Sequence, residues 1–233
     1  MDVFPFAPVG NVRVSYAWGN KEVEFENGNK QYVRKRIHAK KTYEFTIGGM
    51  ADYKKNFKVL VDFYNAHHGE REKFIFEYDG KNEVVRFGSS IVPKCYRENG
   101  SVVTFTCNIT LEVDRQGEDF GTPSIDDVLP VPFGQTDETY DWHAGKVELG
   151  AMTDYYERRT KPMRKINAKF GGMKDTRDRI VKLYNSHCRT PLTYKNNGET
   201  LHVLLPDKLS ITDHREAGNI VGFECSMELE VVD

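Results

Sequence analysis

The sequence FTCNITLEV at residues 105–113 is echoed by FECSMELEV at residues 223–231. In both stretches apolar residues alternate with polar ones, and a period of two is typical of a strand with one buried face. The apolar positions of the first stretch are Phe105, Cys107, Ile109, Leu111 and Val113. These stretches predict that the chain builds the same kind of sheet twice.

Three further pairs of motifs occur in the same order in each half of the chain. They are Tyr16-Ala17-Trp18 with Tyr140-Asp141-Trp142, Gly48-Gly49-Met50 with Gly171-Gly172-Met173, and Tyr64-Asn65-Ala66-His67 with Tyr184-Asn185-Ser186-His187. The offset between partners falls from 124 residues at the tyrosine-tryptophan pair to 118 at the strands. Ordered matches at a nearly constant offset indicate a tandem duplication.

A chain of 233 residues has the length of two domains. We expect a first domain at residues 1–114 and a second at residues 136–233, joined by a linker at residues 115–135. Glycine and proline without periodicity are typical of a linker. The apolar stretch Leu129–Phe133 suggests that this linker packs against something.

The middle of each half changes to a helical period. Phe57, Leu60, Val61 and Tyr64 recur at helical spacing, with Asp52 as the expected N-cap and Gly69 as the expected end. Residues 174–188 predict the partner helix. Strands are predicted at Val12–Tyr16, Thr42–Ile47, Lys73–Tyr78 and Glu83–Phe87. The fold class is therefore α+β: two tandem β-sandwich domains of antiparallel strands, each with one flanking helix.

The composition describes a soluble globular protein. Hydrophobic residues make up 39% and charged residues 29%, with a formal net charge of −2. We find no apolar run long enough to span a membrane and no signal peptide at the N-terminus, so we expect synthesis in the cytosol. The four cysteines have no C-x-x-C spacing and are expected to be free thiols.

The histidines and cysteines do not form a catalytic or metal-binding pattern. His67 and His187 are expected to cap helix C-termini, and Cys107 and Cys225 to lie on the buried faces of strands. The pair Asp126-Asp127 is interpreted as solvated linker. We therefore expect no cofactor, no metal and no enzymatic activity.

One basic run provides the candidate site. Its residues, with a weaker echo in the second half, are Arg34, Lys35, Arg36, Lys40, Lys41, Arg158 and Arg159. They are candidates for a subunit interface or a channel-facing surface. A solvated face, an acidic neighbouring subunit and a nucleic acid are the alternatives for this run.

The first half resembles the minor tail and distal tail proteins of long-tailed bacteriophages. A basic-aromatic strand at Tyr32–Ile47 leads through a turn to a helix ending Phe63–Gly69, then to the F-x-F strand Phe74–Phe76 and the strand Val85–Phe87. The resemblance covers about residues 30–114. The second half lacks the glycine and the F-x-F, with RTPLTY at residues 189–194.

The resemblance implies a tail-tube fold and assembly into a ring around the channel through which the genome leaves. Six domain positions could then be filled by three copies of a duplicated chain, or a hexamer could form. The expected place is the virion tail, and the expected partners are tail tube and baseplate hub proteins, with transient contact to passing DNA. The alternative is a carbohydrate- or receptor-binding module of a phage particle, although Trp18 and Trp142 recur at equivalent places and are interpreted as packing residues.

Overall fold

The computed structural model describes residues 1–24, 30–33, 36–49, 53–99, 101–114, 120–142, 145–149, 152–156, 162–196 and 198–232. Across these residues the protein consists mostly of antiparallel strands with two helices, as the α+β prediction requires. Neither described helix is long and apolar enough to cross a membrane.

The described residues of the first half of the chain, residues 1–114, form one helix and eight strands. They are β1 (Val9–Ala17), β2 (Lys21–Glu24), β3 (Lys30–Val33), β4 (Lys40–Gly48), α1 (Tyr53–Ala66), β5 (Phe74–Tyr78), β6 (Lys81–Phe87), β7 (Lys94–Glu98) and β8 (Ser101–Val113). The predicted helix and the five predicted strands of this half are confirmed. The continuous strand Tyr32–Ile47 that the resemblance implied is divided, since β3 ends at Val33, β4 begins at Lys40, and residues 36–39 belong to neither strand. The hairpin β2–β3 and the strand β7 were not predicted.

The second half repeats this order. Its elements are β9 (Asp137–Asp141), β10 (Gly145–Leu149), β11 (Met152–Tyr156), β12 (Met163–Gly172), α2 (Lys174–Ser186), β13 (Leu192–Asn196), β14 (Glu199–Leu204), β15 (Lys208–Glu216) and β16 (Asn219–Val232). The second helix and the final strand are where the sequence predicts them. Asp52, the expected N-cap of α1, lies outside the described residues.

The described chain forms two compact units that are not contiguous in sequence. Unit 1 comprises Met1–Tyr16, Lys40–Glu118 and Ser210–Glu224, and unit 2 comprises Ala17–Ala39, Asp119–Leu209 and Cys225–Asp233. Each unit therefore contains one segment from the other half of the chain. These units differ from the contiguous ranges 1–114, 115–135 and 136–233 at those exchanged segments.

Unit 1 is organised around β8. This strand pairs with β4, β6 and β7, while β4 also lies beside β1, and β1 lies beside β15 from the second half. The alternation predicted for β8 is confirmed, because Phe105, Cys107, Ile109 and Leu111 are buried. Phe4 packs against a cluster of aromatic rings at centroid distances of 5.7 to 6.2 Å: Phe6, Phe45, Phe63, Phe74, Phe76 and Phe87.

Unit 2 is organised around β16 by the corresponding pairings. β16 pairs with β12 and β14, β14 pairs with β13, and β12 pairs with β9. The inward residues Cys225, Met227 and Leu229 are buried. The order of pairings around β16 matches the order around β8, strand for strand.

The expected linker begins the second set of pairings. In unit 1, Phe4 N–H donates to Ile75 O and Ile75 N–H donates to Asp2 O, both at 2.8 Å. In unit 2, Leu129 N–H donates to Thr193 O at 3.0 Å, and Thr193 N–H donates to Asp127 O at 2.8 Å. Leu129 is buried, so this part of residues 115–135 packs as expected. The sequences DVFPF at residues 2–6 and DVLPV at residues 127–131 thus occupy matching places in the two units.

Gly48 ends β4 where two backbones approach closely. Its φ is +143°, and a Cβ at this position would lie 2.2 Å from Phe105 O. No side chain fits in that space without moving the backbone of β8. The prediction that the Gly48-Gly49 pair ends a strand before the helix is confirmed.

We predict that Ile109→Ala destabilises the protein by about 2 to 5 kcal/mol, because Ile109 is 1% exposed on β8 and its loss leaves a cavity. The matched control is Val103→Ala on the same strand, where the side chain is 48% exposed. That control should change the free energy of unfolding by about 0.5 kcal/mol or less. Urea unfolding followed by circular dichroism measures both. Equal effects for the two variants would contradict the assignment of the buried face.

Candidate interaction surface

The basic run does not form one surface in the described residues. Arg34, Lys35, Arg158 and Arg159 lie outside the described residues. Arg36 is exposed in unit 2, where its Nη1 donates to Ala17 O at 3.4 Å. Lys40 and Lys41 belong to unit 1, so the run is divided between the two units.

Lys40 and Lys41 point to opposite faces of β4, because neighbouring residues of a strand alternate. Lys40 pairs with Glu112 on β8. Lys41 is buried, its Nζ lies 2.5 Å from Glu83 Oε1, and it stands 4.7 Å from the centroid of the Tyr43 ring. Burial and the nearby Glu83 carboxylate raise the pKa of Tyr43 well above its usual value. Lys41 therefore acts within unit 1 and is not an exposed cation.

Trp18 is buried in unit 2, although it follows β1 of the first half. It is 3% exposed, and its Nε1 donates to Tyr184 O at 3.4 Å. Its backbone N–H donates to Asp207 O at 3.1 Å. The next two backbone N–H groups, of Gly19 and Asn20, donate to the Asp207 carboxylate at 3.1 and 3.0 Å. Tyr184 and Asp207, which accept these hydrogen bonds, come from the second half.

Trp142, the equivalent of Trp18, is exposed. Its side chain is 46% exposed and follows β9, on which Tyr140 is 58% exposed. The expectation that both tryptophans pack is therefore confirmed for Trp18 and wrong for Trp142. The reason is that the second half provides the partner for Trp18, whereas the described chain contains no corresponding partner for Trp142.

Polar contacts hold β9 against β12. Glu138 accepts two hydrogen bonds from Arg164, both at 3.0 Å, and Arg164 also contacts Glu199 at 3.0 Å. Asn196 Nδ2 donates to Glu138 at 3.2 Å. The bonds from Arg164 lower the pKa of Glu138 and raise that of Arg164 itself. This bidentate pair fixes the backbone of β9 while most of its other side chains face outward.

β7 is the counterpart of β15, and it is exposed along its whole length. Among the described strands, β7 pairs with β8 alone, whereas β15 pairs with β16 and with β1. In the same way, β9 pairs with β12 alone, whereas its counterpart β1 pairs with β4 and with β15. Within the described residues, β7 and β9 each have an edge without a neighbouring strand, whereas their counterparts β15 and β1 pair with each other.

The two equivalent histidines make related contacts. His67 Nδ1 lies 2.8 Å from Phe63 O at the end of α1, which confirms its capping role, and its Nε2 lies 3.8 Å from Asp2. His187 caps α2 through its backbone N–H, which donates to Leu183 O. We expected the His187 ring to contact a carbonyl at the end of the helix, but its Nε2 instead lies 2.8 Å from Asp127 Oδ2. Asp127 is therefore more than a solvated linker residue.

The cysteines are free in the described structure, and two of them are buried as predicted. Burial raises the pKa of Cys107 and raises that of Cys225 to about 12. Both thiols thus remain protonated and weakly nucleophilic at neutral pH. Within the described residues, no group of three or more His, Cys, Asp or Glu side chains could hold a metal ion.

No protein-family model matches the sequence, and no curated protein matches it. The geometry of the described residues therefore carries the functional interpretation.

We predict that Asp127→Asn destabilises the protein by about 1 kcal/mol or less at neutral pH, because the carboxylate is partly exposed and loses a charge-assisted hydrogen bond to His187. The bond from His187 lowers the pKa of Asp127. A lowered pKa contributes stability above the ordinary aspartate value of about 4, and this contribution is lost as the pH falls through the folded-state value.

Urea unfolding of both proteins between about pH 3 and pH 7 measures this effect. The difference between the wild type and Asp127→Asn should shrink below about pH 4. Asp126→Asn is the control, since Asp126 donates its backbone N–H to Ser124 Oγ, and the substitution leaves that N–H in place. An unchanged difference at low pH would contradict the role of the Asp127 carboxylate.

Proposed function

We propose that this protein is a structural, non-enzymatic subunit that assembles with copies of itself into a ring at the tip or the end of a bacteriophage tail tube. Such a ring surrounds the DNA channel and joins the tail tube to baseplate or host-recognition proteins. Its place is the virion tail.

The observation that carries this proposal is the repeated order of strand pairings. β1–β4, β4–β8, β6–β8, β5–β6 and β7–β8 correspond to β9–β12, β12–β16, β14–β16, β13–β14 and β15–β16. One helix follows the fourth strand of each set. A chain with two equivalent sets of elements can occupy two equivalent positions of a symmetric assembly. This repetition supports the tandem duplication, with tail-tube-like domains as the proposed form.

A second observation supports ring formation. Exposed strand edges are templates for association, and a closed ring removes them without leaving a free end. The edges of β7 and β9 in the described chain are of this kind. Arg36 is exposed and remains a candidate for the interface or the channel surface. Arg34, Lys35, Arg158 and Arg159, which lie outside the described residues, remain candidates on the sequence alone.

We predict that the purified protein forms closed rings of three chains, so that six domains surround the channel. Native mass spectrometry gives the number of chains, and class averages from electron microscopy give the symmetry. A ring of six chains would keep the structural role but contradict the pseudo-sixfold arrangement. A stable monomer at high concentration would contradict the ring itself.

The alternative is a carbohydrate- or receptor-binding module of a phage particle. The exposed side chains of Tyr140 and Trp142 favour it, because aromatic rings are the usual contact surface for sugars and for protein partners. Under this alternative, Trp142→Ala should abolish binding on a glycan array while the circular dichroism spectrum stays unchanged. Trp142→Phe is the matched control and should retain part of the binding. An array on which the wild-type protein binds nothing would remove the glycan form of this alternative.

A further inference from the structure

The join between β1 and β15 shows how one half of this chain receives the other. Ser15 Oγ lies 3.2 Å from Ser210 Oγ, and Trp18 N–H donates to Asp207 O. From Ser15 to Trp18 the residue number rises by three, and between their partners Ser210 and Asp207 it falls by three. This is the register of an antiparallel pair of strands. The edge of β1 that faces away from β4 is thus paired by β15, the first strand of the β15–β16 hairpin of the second half.

Side chains of the same hairpin complete the join in unit 1. Asp213 on β15 is fully buried and accepts a hydrogen bond from the Tyr78 hydroxyl at 2.6 Å. The Arg215 guanidinium stands 5.2 Å from the centroid of the Tyr78 ring. The join therefore combines backbone pairing, a buried tyrosine-aspartate bond and a tryptophan.

The counterparts of these two strands are β9 and β7, and each has an edge without a neighbouring strand in the described chain. Trp142 follows β9 as Trp18 follows β1. Trp18 is buried by residues from the other half, but Trp142 is exposed. β9 and Trp142 thus correspond to β1 and Trp18, but the described chain places no strand beside β9 as it places β15 beside β1.

The charges of the two edges are complementary. β7 carries the cations Lys94 and Arg97 with one carboxylate, Glu98, and the strand is exposed throughout. β9 carries Asp137, Glu138 and Asp141 and no cation. Pairing β9 with β9 would bring carboxylates together, whereas pairing β9 with β7 brings unlike charges together.

We propose that copies of this chain associate head to tail, with β9 and Trp142 of one copy placed against β7 and the β7–β8 hairpin of the next. The contact between copies repeats the β1–β15 join within a chain. It is heterologous, since two different surfaces meet, and it therefore leads to a closed ring or an open filament. This contact is the surface through which the proposed ring forms. Only the closure of the ring rests on the proposed function.

Charge reversal on each edge tests the pairing. Lys94→Glu with Arg97→Glu makes β7 acidic, and Asp137→Lys with Asp141→Lys makes β9 basic. Each double variant places like charges opposite one another and should weaken association at least about tenfold. The four substitutions in one chain exchange the two charges and should restore association to within about threefold of the wild type.

The matched control is Lys54→Glu with Lys58→Glu, which reverses two exposed lysines of α1, an element that belongs to neither strand edge. It should associate as the wild type does. Sedimentation velocity over a range of concentrations measures association, and circular dichroism checks that each variant is folded. Double variants that associate normally, or a folded fourfold variant that remains monomeric, would overturn the β7–β9 contact.

The fluorescence of Trp142 gives a second measurement that needs no change in charge. Association should shift the emission of the wild-type protein to shorter wavelength as Trp142 becomes buried, and Trp142→Phe should abolish the shift because Trp18 is already buried. An unchanged emission on association would contradict the proposed place of Trp142.

The outcomes separate this inference from the proposed function. Closed rings that tolerate both double variants would leave the ring standing and overturn the strand contact. Open filaments that are abolished by both double variants would support the contact and contradict the ring. A wild-type protein that stays monomeric overturns both.

Discussion

A strand edge presents a row of unpaired backbone N–H and C=O groups, and the need to pair them organises this protein. In unit 1 the edge of β1 is paired by β15, a strand that the chain reaches only near its end. Both compact units consequently contain a segment of the other half. The burial of Trp18, Asp213 and Tyr78 depends on that exchange, since each has its hydrogen-bond partner on a segment distant in sequence.

The exchange also explains why two nearly identical motifs have different environments. Trp18 and Trp142 follow equivalent strands, and β15 and β7 begin equivalent hairpins. Among the described strands, the edge of β1 is joined to β15, whereas β9 and β7 each have an edge without a neighbouring strand. Trp142 and the whole of β7 are accordingly exposed, while their counterparts Trp18 and β15 lie at the joined edge.

Charged residues that are neighbours in the sequence also have different roles, because the fold places them in different environments. Lys40 and Lys41 are neighbours in a basic run, but the pleat of β4 places them on opposite faces, one beside Glu112 and one buried beside Glu83. A buried lysine is stable only when it is paired, and Glu83 provides the pair. Arg36 is four residues earlier and belongs to the other unit. A cluster of charge along a sequence thus does not indicate a cluster of charge on a surface.

The local structure and its repetition could be predicted from the residue types and their spacing. The alternation at residues 105–113, the helical period after Gly48-Gly49 and the paired motifs were enough to predict β8, β16, α1, α2 and an α+β fold, because alternation and period follow from backbone geometry. Three features could not be predicted in this way: the half that each segment joins, the backbone bonds of Asp127 and Leu129 that repeat those near the N-terminus, and the tryptophan that is buried. These features depend on hydrogen bonds between residues far apart in the chain, such as Ser15 and Ser210, and no local pattern of residue types records them.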